Sequence, residues 1–168
     1  MIEPETPTER AIVADPEWQE GAAANGRMKG HPEETVGHHI AEVLANIDRY
    51  AAGDEQRARL RLVALVHDTF KHRVRWWVPH RADHARIAAR WAQRHIDDPG
   101  VLLVIEVHDE GYRAWRKRDE ARVARLIERL GPELPLFDAF YRCDNETGDK
   151  APDDRRWFEA LVARRAAP

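Results

Sequence analysis

Between Thr35 and Ala51 the apolar residues Val36, Ile40, Val43, Leu44 and Ile47 recur at helical spacing, so the stretch predicts an amphipathic helix that Gly53 stops. Asp54 to about His72 predicts a second helix, capped by Asp54 and with basic residues near its end. Its centre, Leu60 to Val66, is apolar at every position except Arg61, which marks it as the helix to be buried at the middle of the fold. Asp83 caps a third helix through His95, and Asp97-Asp98-Pro99-Gly100 is a strong turn signal. Val101 to about Asp109 is rich in β-branched residues, but the chain shows no partner strand, and we read it as helix. Tyr112 to Leu130 is amphipathic, heavily charged on its outer face and closed by Gly131-Pro132. Leu134 to Asp144 and Asp153 to Arg165 complete the pattern.

Other segments are less regular. Pro16 to Ala24 predicts a short helix ended by Asn25-Gly26, and the first dozen residues, with their Pro and Glu, predict a loose extension. Val74 to Arg81, with Trp76, Trp77 and Pro79, reads as a loop. The sum is an all-α helical bundle of five to seven helices. Residues 1–27 form an N-terminal extension and residues 28–168 the domain.

Composition narrows the function. A chain of 168 residues suits one domain with a single core. Its net charge of −3 gives no basis for a stable nucleic-acid partner. One cysteine, Cys143, excludes an internal disulfide and a cysteine-rich zinc site. There is no apolar run near the roughly 20 residues that span a bilayer, and the acidic N-terminus lacks a signal-peptide core. The expectation is a soluble, cytoplasmic protein with no membrane association; a homodimer is compatible with it. Nine histidines, however, is a high count for the commonest metal ligand.

Their distribution supplies the chemistry. In chain order the ligand-type residues run His39, His67-Asp68, His84, His108 and Asp144. His67 and Asp68 directly follow the apolar run of the central helix, where an uncompensated carboxylate would cost several kcal/mol. Neighbours on a helix point about 100° apart, so the two can flank one ion or two ions side by side. Lys71 shares their face and can pair with Asp68 or meet a substrate phosphate. His39 and His38 both lie at the edge of the buried arc of their helix, and periodicity does not separate them. His84 occupies a first helical turn, His108-Asp109 ends an apolar run as His67-Asp68 does, and Asp144 follows an aromatic helix (Phe137, Phe140, Tyr141). Taken singly, each is better explained by ordinary packing, capping or solvation.

Taken together, the set resembles the HD superfamily of metal-dependent phosphohydrolases. HPEETVGHHIAEVL (His31 to Leu44) resembles the first-helix segment of the HD domains of bacterial tRNA nucleotidyltransferases, where H-P-E precedes the first ligand by eight residues. That count selects His39 over His38. LVALVHDTFK (Leu62 to Lys71) resembles the apolar-H-D-x-G-K element, with Phe70 where the common motif has Gly, and YRCD (Tyr141 to Asp144) resembles the terminal aspartate segment. The resemblance covers roughly Gly30 to Lys150, with His84 and His108 matched by order and apolar context. The Glu-x-Asp signature of stringent-response hydrolases and the Gly-Tyr-Pro extension of cyclic-dinucleotide phosphodiesterases are both missing.

The resemblance implies a bundle with ions held between its helices. His39, His67, Asp68 and Asp144 would hold the first ion. His84 and His108 would hold a second, with Asp68 bridging. Mixed N/O ligation suits one or two ions of Mn, Fe, Co, Ni or Zn more than Ca. A divalent ion lowers the pKa of bound water towards about 7, and two ions about 3.5–4 Å apart can deliver hydroxide while neutralising phosphoryl charge. The implied activity is a phosphomonoesterase or phosphodiesterase acting on a small nucleotide-like phosphorylated substrate, with Asp68 and Lys71 as catalytic residues. Lys150 is a second, weaker candidate for a phosphate contact, and the Trp76-Trp77-Pro79-His80 loop could cover the site or stack a base. A di-iron oxygenase on the same scaffold and a non-catalytic metal-binding module are the alternatives.

Overall fold

The apolar run from Leu60 to Val66 becomes the axis of the bundle. The structure is a computed structural model that describes residues 2–24, 35–74, 83–148 and 152–166. In chain order these form α1 (Pro7–Ala14), α2 (Pro16–Ala23), α3 (Val36–Tyr50), α4 (Asp54–Val66), α5 (His84–Ala92), α6 (Pro99–Val107), α7 (Glu110–Lys117), α8 (Glu120–Leu130), α9 (Leu134–Asn145) and α10 (Asp153–Ala166). There is no β-strand among the described residues, and the bundle is all-α as the periodicity predicts. Its helices are shorter and more numerous than the five to seven expected. No helix among the described residues is long and apolar enough to cross a membrane.

Helices α1, α3, α5, α6 and α9 all pack against α4, whose Leu60, Val63, Ala64, Leu65 and Val66 are fully buried. Arg61, the one polar interruption of that run, meets Glu9 of α1 through two hydrogen bonds of 3.0 and 2.9 Å. The first dozen residues therefore do not form the loose extension expected. Thr6 caps α1 by accepting from the Glu9 amide, Pro7 takes the first helical turn, and Ile12 is fully buried. The signal missed was the Thr6-Pro7 start, which reads as a helix N-terminus once the acidic flank is set aside.

Two further departures have local causes. α4 ends at Val66 instead of running to His72, because the Leu65 carbonyl accepts from the Trp18 indole (2.7 Å) and the Thr69 hydroxyl (3.0 Å). The backbone then tightens to three-residue hydrogen bonds, Thr69 N–H to Val66 O and Lys71 N–H to Asp68 O, and forms a 3-10 turn over Lys71–Arg73. Helix α2 seats closely on that turn, and a Cβ at Gly21 would fall 2.0 Å from the Thr69 carbonyl oxygen. The stretch from Tyr112 to Leu130 is not one helix either. Arg118 takes the left-handed conformation (φ 53°, ψ 35°), and Asp119 caps α8 by accepting from the Arg122 amide. The guanidinium of Arg118 lies over Trp115 and Trp157, contacts that offset a backbone cost of about 1–2 kcal/mol.

The region between Val101 and Asp109 is helix, as read. Asp98 accepts from the amides of Gly100 (2.8 Å) and Val101 (3.1 Å), Pro99 opens α6, and Val101, Val104 and Ile105 are buried. α10 is fastened to α9 by the ring cluster of Phe137, Tyr141 and Phe158 and by the Tyr141 hydroxyl, which donates to the buried Asp154 (2.9 Å). The H-P-E element at His31, the Trp76-Trp77-Pro79-His80 loop and Lys150 lie outside the described residues.

Candidate metal centre

All six metal-ligating candidates meet at one point between five helices. α3 contributes His39, and the turn after α4 contributes His67 and Asp68. His84 is the first residue of α5, His108 follows α6 and Asp144 lies in α9. His39, His67, Asp68, His84 and His108 are buried, whereas His38 is exposed, which resolves the ambiguity that periodicity left. The ligand atoms fall into two groups, His39 with His67 and Asp144, and His84 with His108 and Asp68, each within 4.8 Å.

The four imidazoles turn the same atom, Nε2, inward. His67 Nδ1 lies 2.9 Å from the Ala64 carbonyl and His108 Nδ1 2.8 Å from the Ile105 carbonyl. A carbonyl only accepts, so both Nδ1 atoms carry a proton, and each Nε2 presents a lone pair when its ring is neutral. His39 Nδ1 lies 3.3 Å from the Thr147 hydroxyl, which itself donates to the Asp144 carbonyl (2.7 Å) and therefore accepts from His39. Hydrogen bonds of this kind to the outward ring nitrogen fix imidazole orientation in metal sites.

The consequence is two facing pairs of ring nitrogens. His39 Nε2 lies 3.3 Å from His67 Nε2, and His84 Nε2 lies 3.2 Å from His108 Nε2. In the His39–His67 pair two lone pairs face each other, and at that distance they repel unless a cation is shared between them. Asp68 spans both pairs. Its Oδ2 is 3.6 Å from His39 Nε2 and 3.4 Å from His67 Nε2. Its Oδ1 is 3.4 Å from His84 Nε2 and 3.3 Å from His108 Nε2. Asp144 Oδ1 completes the first group at 3.0 Å from His39 Nε2 and 3.9 Å from His67 Nε2. Ligands about 2.1 Å from one ion lie about 3.0 Å apart along an octahedral edge and about 3.4 Å along a tetrahedral one. The spacings of 3.0 to 3.6 Å match such edges, and His67–Asp144 at 3.9 Å is wider. Among the described residues Asp68 Oδ1 is enclosed, accepts no short hydrogen bond and has only the His84 and His108 Nε2 atoms beside it, an oxygen that calls for a cation, proton or metal, on those rings.

Electrostatics agree with a cation-seeking centre. Burial works to raise the Asp68 pKa, but the Lys71 ammonium paired with it and the surrounding imidazoles outweigh burial and hold the carboxyl well below its usual range. Burial lowers the pKa of His67 and keeps that ring neutral, the form that binds metal. At His108 burial is overcome by the Asp109 and Asp68 carboxylates, which push the pKa up to about 9. A cation at that ring is thus strongly favoured, and a proton and a metal ion compete for it.

Lys71 donates to Asp68 Oδ2, so of its two expected roles the ion pair is the one seen; its side chain stays 31% exposed at the rim. Phe70, in the place of the motif glycine, has an ordinary backbone (φ −101°, ψ 13°) and is fully buried against Trp91 (5.3 Å between centroids). Its ring fills core. Sequence reading missed Asp109, whose Oδ2 lies 3.4 Å from His84 Nε2 and whose Oδ1 lies 3.6 Å from His108 Nε2. The signal was present in the repeated His-Asp pair. Arg113 donates to both Asp83 (3.0 Å) and Asp109 (3.3 Å) and ties the start of α5 to the end of α6. Comparison with protein-family models, with curated proteins and with solved structures gives no match, so the donor set itself must say what the chain does.

Proposed function

We propose that this chain is a metal-dependent phosphohydrolase of the HD type, acting as a phosphomonoesterase or phosphodiesterase on a small nucleotide-like substrate. The observation that carries the proposal is Asp68, whose two oxygens each face an imidazole pair with nitrogens turned inward at 3.3 and 3.2 Å. Two adjoining N/O pockets sharing one carboxylate suit a pair of Mn, Fe, Co, Ni or Zn ions. Such ions supply a water of lowered pKa and neutralise phosphoryl charge.

The chain's own residues do the positioning. Asp68 ties the two pockets together and stays anionic because the Lys71 ammonium beside it favours that form. The carbonyls of Ala64 and Ile105 and the Thr147 hydroxyl hold three of the imidazoles with Nε2 inward. Lys71, at the rim, is the cation suited to a substrate phosphoryl oxygen. Its pairing with Asp68 keeps the ammonium charged and near the centre.

The test is turnover of a panel of phosphate monoesters and diesters by protein loaded in turn with Mn, Co, Ni and Mg. Activity with at least one ion is expected, and its loss together with bound metal in Asp68→Ala. No turnover with any of them sinks the proposal. Oxygen uptake by the iron-loaded protein would assign the centre to an oxygenase instead. Bound metal without either activity would leave a metal-binding module.

A further inference from the structure

We infer that Asp109 is a ligand of the second ion position, a terminal carboxylate that matches Asp144 at the first. The inference rests on the two-pocket metal centre proposed above and goes beyond the six residues that the family resemblance selects.

Three features distinguish Asp109 from an outer carboxylate. First, it approaches the inward-facing atoms. Its oxygens lie 3.4 Å from His84 Nε2 and 3.6 Å from His108 Nε2. A supporting carboxylate approaches Nδ1 instead, as Asp83 does at 3.7 Å from His84 Nδ1. Second, its spacings to the two rings fall within the range that Asp68 and Asp144 show to theirs, 3.0 to 3.9 Å. Third, it is held in place from outside. Arg113 donates to its Oδ2 at 3.3 Å while also gripping Asp83, so both carboxylates that flank His84 are oriented by one guanidinium. His108-Asp109 thus repeats at the end of α6 what His67-Asp68 does after α4: adjacent imidazole and carboxylate face one ion.

With Asp109 each position has two imidazole nitrogens, one terminal carboxylate and one oxygen of Asp68. Matched donor sets mean that the two positions fill over similar ion concentrations, and neither is a weak appendage of the other. Three carboxylates against two divalent ions leave the centre net positive, a charge suited to a phosphate ester.

The test is a titration of metal-stripped protein with Mn²⁺ alone, read by calorimetry and by the spin-coupled resonance signal of a paired centre, with bound metal counted by mass spectrometry after dialysis. The intact chain should take up two ions per chain and show the coupled signal. Asp109→Asn, which keeps the side chain's shape, and Asp109→Ala should each keep one ion, lose the coupled signal and bind the second about 100-fold more weakly. Circular dichroism of the stripped proteins checks that the fold is retained. Two ions bound by both variants with undiminished affinity would overturn the assignment of Asp109 and leave the proposed hydrolase standing. One ion in the intact chain would overturn it too, while still allowing a hydrolase with a single ion. No ion in the intact chain would overturn the assignment and the proposed function together.

Discussion

Arg61 and Glu9 form a two-point ion pair between α4 and α1, with the two residues only 4% and 1% exposed. Glu9 is the enclosed partner of Arg61, and without it the guanidinium keeps only Glu5 (3.1 Å), at the surface end, and the Glu3 carbonyl (3.0 Å). Glu9→Ala should lower stability by about 3–5 kcal/mol, whereas replacing both residues with Leu should recover most of the loss. Urea unfolding followed by circular dichroism measures both. A single substitution that costs under about 1 kcal/mol would show that the pair is hydrated.

Thr147 supports the centre at one remove. Its hydroxyl donates to the Asp144 carbonyl and accepts from His39 Nδ1, which keeps His39 Nε2 turned inward. Thr147→Val preserves the shape and removes the acceptor. Metal affinity should fall about 10–100-fold, with little change in melting temperature of the stripped protein, and Thr147→Ser should retain the affinity. Equal affinities for the Val variant and the parent would mean that the hydroxyl does not orient the ring.

Gly21 lets α2 sit directly on the turn that carries His67 and Asp68. Because a Cβ there would lie 2.0 Å from the Thr69 carbonyl oxygen, Gly21→Ala must push α2 away from the turn. A loss of about 1–3 kcal/mol is expected, with weakened metal binding as the turn relaxes. Thermal melting and Mn²⁺ titration read the two effects separately; unchanged values in both would refute the close seating.

Asp98 carries an acid dependence of stability. Burial tends to raise its pKa, but Arg59 and the amides of Val101 and Gly100 outweigh it and hold the carboxyl below its ordinary 3.8. A depressed folded-state pKa means that the stabilising charge is fully present above the unfolded value and lost as pH falls through the folded one. Asp98→Ala should therefore cost about 1 kcal/mol at neutral pH as the α6 cap is lost. The gap should narrow below pH 3.8. Denaturation midpoints across that range test the sign, and a gap that widens in acid would contradict it.

How far the sequence alone reaches can be seen at particular residues. The buried run on α4 is legible because six apolar residues, Leu60 and Leu62 to Val66, surround a single arginine, and apolar patterning depends only on local spacing. Arg61 itself was not interpretable, since its partner Glu9 lies 52 residues away. The end of α4 was misplaced for the same reason, because Trp18 competes for the Leu65 carbonyl from another helix. The break at Arg118 had a visible cap in Asp119 that the continuous amphipathic pattern concealed.

At the centre, residue order selects His39, His67, Asp68, His84, His108 and Asp144 as candidates because ligand chemistry is written in side-chain type. Order says nothing of direction. That all four Nε2 atoms converge, that Asp68 divides its two oxygens between two imidazole pairs, and that Asp109 joins them depends on how five helices cross. Local periodicity and composition are enough for an all-α chain with a buried central helix and a supply of imidazole and carboxylate donors. Which donors share a pocket is fixed by helix packing, because donors far apart in sequence meet only when packed helices set their distances to a few tenths of an ångström.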